Sequence, residues 1–177
     1  DDVLNLDSQL HEKVIPPYQL QQVTTAWSAG NANWFLDWPT SAEKIDSFYQ
    51  KVTQTEADGV MAVNYRALEE LLRLTGPVKL ADYELVLEAS SFLEKIQLEI
   101  KQDYDKELNQ PKKILSDFIP ALLDKLANLP ESQKESAEEI LLELINQRNI
   151  LIYFKESDLA DFAEAQDWSG RIQKTEG

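Results

Sequence analysis

Between Thr40 and Pro77 the apolar positions change period twice, from helix to strand and back to helix. Ile45, Phe48, Tyr49 and Val52 recur at helical spacing and predict an amphipathic helix that ends near Thr53. Thr40 with Glu43 three residues on reads as a capping box, the hydroxyl taking a first-turn amide while the carboxylate reaches back. Asp58-Gly59 predicts a turn into Val60-Met61-Ala62-Val63, too short an apolar run for a helix and suited to a buried strand. Tyr65, Leu68, Leu71 and Leu72 then resume the helical period until Thr75-Gly76-Pro77 stops it. This helix–strand–helix unit is the centre of the chain.

The flanks carry weaker versions of the same signals. Leu4, Leu6, Leu10 and Val14 predict a first helix ended by Pro16-Pro17, a short second helix fits Tyr18 to Trp27, and Ser28 to Trp38 reads as a loop. After Pro77, Val78-Lys79-Leu80 and Tyr83 to Leu87 straddle an Ala81-Asp82 turn and alternate as two short strands or one bent edge strand that would extend the sheet begun at Val60. Ser91 and Glu94 form a second capping box for a helix running to about Glu107. Pro111 suits the first position of the next helix, whose wide apolar face (Ile114, Phe118, Leu122, Leu126) contains a kinking Pro120. Ser132 caps a helix with Ile140, Leu141, Leu144 and Ile145 inward, and Ser157 caps a last short one. Between them Ile150 to Phe154 is the most apolar run and reads as a central, buried strand. The expected fold is a helix-rich α/β (α+β) domain: about seven helices on a small sheet of three or four short strands, one domain over residues 1–177 with a disordered tail at 173–177.

Charge narrows the partners. With 17 basic against 32 acidic residues the chain carries −15, a field that repels phosphate backbones and anionic head groups, so nucleic acid is not an expected partner. There is no cysteine, hence neither disulfides nor thiolate metal sites. No apolar run approaches the roughly 20 residues that cross a bilayer, and membrane contact by this chain is not expected. His11 is the single histidine, with no second ligand nearby to make a metal site or triad.

The candidate chemistry lies in the loop before the central unit. Trp27, Trp34 and Trp38, three of the four tryptophans, cluster there with Asn31, Asn33 and Asp37. Indole faces stack on sugar rings and the amides and carboxylate could bind hydroxyls, which makes Asn31, Asn33, Trp34, Asp37, Trp38 and Asp58 the candidate ligand-binding residues. Against this stands packing: aromatic rings beside a helix entry bury large apolar areas, and Asp holds turn amides. Packing is the stronger reading, with Trp34 and Trp38 as anchors of the turn. Asp37 and Asp58 alone are too few for an oxygen-ligated cation. Neither a nucleophile elbow nor a Gly-rich phosphate loop nor a zinc-protease motif occurs, and no cofactor or metal is expected.

The words Asn31-Ala32-Asn33-Trp34, Asp37, Pro39-Thr40, Asp58 to Val63, Leu71-Leu72 and Thr75-Gly76-Pro77-Val78 resemble those of the bacterial domain-of-unknown-function family 4012. Pro111 to Leu115, Arg148 to Tyr153 and Trp168-Ser169-Gly170 extend the resemblance over nearly the whole chain. Gly30 and Asn31 stand where that family usually has a basic and then an acidic residue, so a role depending on that pair is not carried over. The resemblance implies an uncharacterised extracytoplasmic domain, anchored to the membrane by a segment outside this chain and encoded near envelope polysaccharide genes. The family's further upstream and downstream segments are not in this sequence, so the expected sheet is part of a larger one, with weak self-association through an open edge.

Three functions follow as expectations. The first is non-catalytic binding of an envelope glycan or another envelope protein. The second is an enzyme, since the strand, following helix and Thr-Gly-Pro-Val turn resemble in layout the core of LytR-CpsA-Psr phosphotransferases. That chemistry needs a cationic clamp on pyrophosphate, yet Arg66, Arg73, Arg148 and Arg171 form no cluster in the sequence. The third is an acidic scaffold that docks a basic partner.

Overall fold

The computed structural model describes residues 3–102 and 113–172. In chain order its elements are α1 (Val3–Gln9), α2 (Trp38–Thr53), β1 (Gly59–Val63), α3 (Tyr65–Thr75), β2 (Val78–Leu80), β3 (Leu85–Leu87), α4 (Phe92–Gln102), α5 (Lys113–Ala127), α6 (Glu131–Asn146), β4 (Ile150–Phe154) and α7 (Ser157–Ala165). Among the described residues these make seven α-helices and four short strands, the helix-rich α/β fold that the periodicity predicts. The described residues form two compact units, residues 3–62 with 151–172 and residues 63–102 with 113–150.

In the first unit α2 is the main helix. Its cap is Asp37, whose carboxylate accepts the Thr40 amide at 3.2 Å and the Thr40 hydroxyl at 2.6 Å; the helix therefore begins at Trp38, one turn before a Thr40 cap would start it. Pro39, with no amide proton to leave unpaired, sits in that first turn. The helix ends at Gln54 in the left-handed conformation (φ 57°). Phe48, Trp38, Ala42, Ala32 and Leu20 are buried, and the Trp27 ring meets Phe35 and Phe48 edge-on at 5.9 and 6.0 Å.

Two expectations for this unit fail for tertiary reasons. The first helix stops at Gln9 because Val14 is drawn into an isolated bridge, its carbonyl accepting the Trp27 amide at 2.8 Å. Between Tyr18 and Trp27 only Leu20–Gln22 is helical, as a single tight turn.

β1 and β4 pair as a two-stranded sheet. At one end the Lys155 amide donates to the Asp58 carbonyl (2.9 Å), at the other Asn64 donates to Asn149 (3.0 Å), so the strands run antiparallel. In that register Val60 and Ala62 turn their backbone groups toward β4, whereas Gly59 and Met61 turn theirs away. On the outer side of β4 the Ile152 amide donates to the Trp168 carbonyl at 3.3 Å. Neither strand is the buried one its apolar run suggests: Met61 is 57% exposed, and within β4 only Ile150 is buried. Two strands cannot cover each other's faces, and here no third is present among the described residues.

The second unit packs α3, α4, α5 and the β2–β3 hairpin around Phe92, Phe118, Leu72, Leu87, Leu122 and Val78, with the Phe92 and Phe118 rings 5.1 Å apart. The hairpin pairs Val78 with Leu87 and Leu80 with Leu85, and is a sheet of its own; it does not extend β1. Asn64 caps α3 by accepting the Ala67 amide at 3.1 Å. Beyond its other end Lys125 Nζ donates to the Thr75 and Pro77 carbonyls (2.9 and 2.8 Å), taking over acceptors that the helix leaves free. The serine caps fail. Ser91 Oγ is buried without a hydrogen bond, α6 is preceded by Pro130 with no side-chain cap, and in the first unit α7 follows Glu156, likewise without one. α5 runs through Pro120. The expected helix end near Glu107, the Pro111 start and the tail at 173–177 lie outside the described residues.

Candidate binding site

The six residues singled out in the sequence are divided by the fold. Asn31 is used to shape its own loop: Oδ1 accepts the Ser28 amide at 3.0 Å, Nδ2 donates to the Ala26 carbonyl, and its backbone carbonyl takes the Trp27 indole N–H at 3.2 Å. Asp37 is the α2 cap, and its second oxygen accepts the Ile172 amide at 2.9 Å. Burial raises its pKa, while these hydrogen bonds and the nearby Arg171 charge lower it; the lowering wins, holding the carboxyl below its ordinary 3.8. Trp38 is only 4% exposed, and its indole nitrogen is buried without an acceptor. Asn33 and Trp34 remain exposed, Trp34 at 42%, next to exposed Phe35 and Leu36. Of the two expected tryptophan anchors only Trp38 is one. Asp58 is exposed at the start of β1, where its backbone carbonyl, not its carboxylate, makes the ladder contact. Among the described residues no three acidic or histidine side chains converge as a metal-binding group.

A pocket that the sequence did not reveal lies in the first unit, between α2 and the outer edge of β1. It encloses about 360 Å³ and is lined by Leu6, Ile45, Asp46, Tyr49, Val60 and Met61, among others. Ile45 and Tyr49, four residues apart, share one helical face, and Asp46 stands beside them. Asp46 is 7% exposed. Its Oδ2 lies 2.7 Å from Lys155 Nζ, while Oδ1 is buried with no donor. The hydrogen bond to Asp46 in turn raises the Lys155 pKa above its ordinary 10.5. A mainly apolar pocket of this size can seat an aliphatic side chain. A signal for Asp46 existed in the sequence, since it stands one helical turn after Ala42 on the side that packs inward.

The fold is a helix-rich α/β one with a pocket beside β1. The chain belongs to the family described as Protein of unknown function (DUF4012), whose model matches residues 5–100, more than half of its length. That span includes the loop, the central helix–strand–helix unit and the hairpin, but not β4. No curated protein and no solved structure matches the chain.

Proposed function

We propose that this domain is a non-catalytic binding module of the cell envelope, held outside the cytoplasmic membrane, and that the partner it recognises is a protein. The single observation behind the choice of partner is the pocket beside β1: its mainly apolar lining favours an apolar side chain over a sugar, most of whose hydroxyls would lose water without gaining partners there. The envelope location rests on what the family resemblance implies. A phosphotransferase reading gains nothing from the arginines, for Arg73 is engaged by Glu70 on its own helix and Arg171 by Glu164 at 2.7 Å.

A glycan reading retains one support, the half-exposed Trp34 beside exposed Asn33. Titration of the isotope-labelled domain separates the two. Peptides selected by display on the domain are expected to shift the amide signals of Tyr49, Val60 and Met61, and envelope oligosaccharides to leave them unchanged. Oligosaccharide shifts confined to Asn33 and the Trp34 indole, with no peptide reaching β1, would replace the protein reading by the glycan one.

A further inference from the structure

Among the described residues no strand lies beside the outward backbone groups of Gly59 and Met61, and both residues line the apolar pocket that Ile45 and Tyr49 of α2 share. An unpaired edge is a template for another strand, and an apolar pocket beside it offers a seat for one of that strand's side chains. Resting on the protein-binding reading above, we infer that the partner presents an extended, basic segment that adds as a strand to the outer edge of β1 and seats one aliphatic side chain in the pocket.

The main chain of such a segment supplies the affinity and its alternate side chains the selectivity, the usual division in strand addition. Its charge is set by the surroundings. Exposed Glu56 and Asp58 stand immediately before the edge, the Lys155 ammonium is already taken up by Asp46, and the chain as a whole carries −15. The same field works against the rival occupant, a second copy of this chain, which would bring another −15 to the contact.

The probe is a capped nine-residue peptide that alternates lysine and leucine, titrated calorimetrically and by the amide signals of Gly59 and Met61. Binding is expected at β1. Methylating every second backbone nitrogen of the peptide keeps its charge and side chains but blocks strand pairing, and should weaken binding at least tenfold; exchanging lysine for glutamate should abolish it. Met61→Pro removes the outward donor at a place where edge strands accept proline; should that variant not fold, the methylated peptide reports the same bond from the other side. Equal binding of the methylated peptide, signals that move only on other acidic surfaces, or sedimentation showing that the edge pairs with a second copy would each overturn the inference. If displayed peptides reach the pocket but lack basic residues, this inference falls and the protein-binding reading stands. If no peptide perturbs β1, both fall.

Discussion

The amide of Ile172 donates to Asp37 Oδ1 at 2.9 Å, joining positions 135 residues apart in sequence, while Oδ2 of the same carboxylate caps α2 through Thr40. One side chain thus closes the first turn of the main helix and ties down the chain that follows α7. Asp37→Ala should destabilise the protein by about 1–2 kcal/mol, the upper part of the range for a lost cap. Asp37→Asn can still accept from Thr40 but turns a donor toward Ile172, so a smaller loss is expected. Urea melts of the two variants check the order.

Acid should remove the same contribution. Asp117 is also held below its ordinary 3.8, first by the hydrogen bond from Lys113 (2.6 Å), with burial opposing and the Tyr83 hydroxyl (2.7 Å) assisting. A carboxylate depressed in the folded state stabilises above its unfolded pKa and loses that contribution as pH falls through the lower, folded value. Stability should therefore decline below about pH 4, where unfolded Asp titrates, and the decline should be shallower in Asp37→Asn and Asp117→Asn. Urea midpoints across the acid range provide the test.

Trp38 and Trp34 should respond unequally to truncation. Trp38→Ala empties a buried site and is expected to cost on the order of 3–5 kcal/mol. Trp34, at 42% exposed, keeps much of its ring in water, so Trp34→Ala should cost clearly less. Equal losses in chemical denaturation would mean that the loop packs its two rings alike.

Gly59 lets β1 approach β4. A methyl group there would stand 2.3 Å from the Tyr153 carbonyl oxygen, and since that oxygen belongs to backbone the strands must part to make room. Gly59→Ala should cost about 1–3 kcal/mol, as overpacking does. Amide exchange should also quicken on β1 and β4 before it does on α2.

Much of the architecture was legible because it depends on neighbours in sequence. The helices around Ile45-Phe48-Tyr49 and Leu68-Leu71-Leu72, the positive-φ stop at Gly76 and the extended stretches around residues 78–80 and 85–87 all follow from local period and turn chemistry. Caps were less legible: a hydroxyl or a carboxylate three residues before an amide can each satisfy it, and which one does depends on where the preceding loop arrives. Asp37 outcompeted Thr40 because residues 31–36 deliver it to the helix axis; Ser91, Ser132 and Ser157 were correctly placed near helix starts without becoming caps.

What the sequence by itself determined is the class: acidic, cysteine-free, helix-rich, with short strands at 60–63 and 150–154 and a family word pattern around Trp34 and Gly76. Only the tertiary structure decided that β1 and β4 pair with each other and not with the hairpin, that Trp38 is buried while Trp34 is not, and that Asp46, paired with Lys155, lines a pocket beside β1. The reason is physical. Apolar period states that a face is buried but not against what, and a short apolar strand reads the same whether two neighbours cover it or one. The hydrogen-bond state of Asp46 depends on Lys155, more than a hundred residues away, and no local pattern encodes that distance.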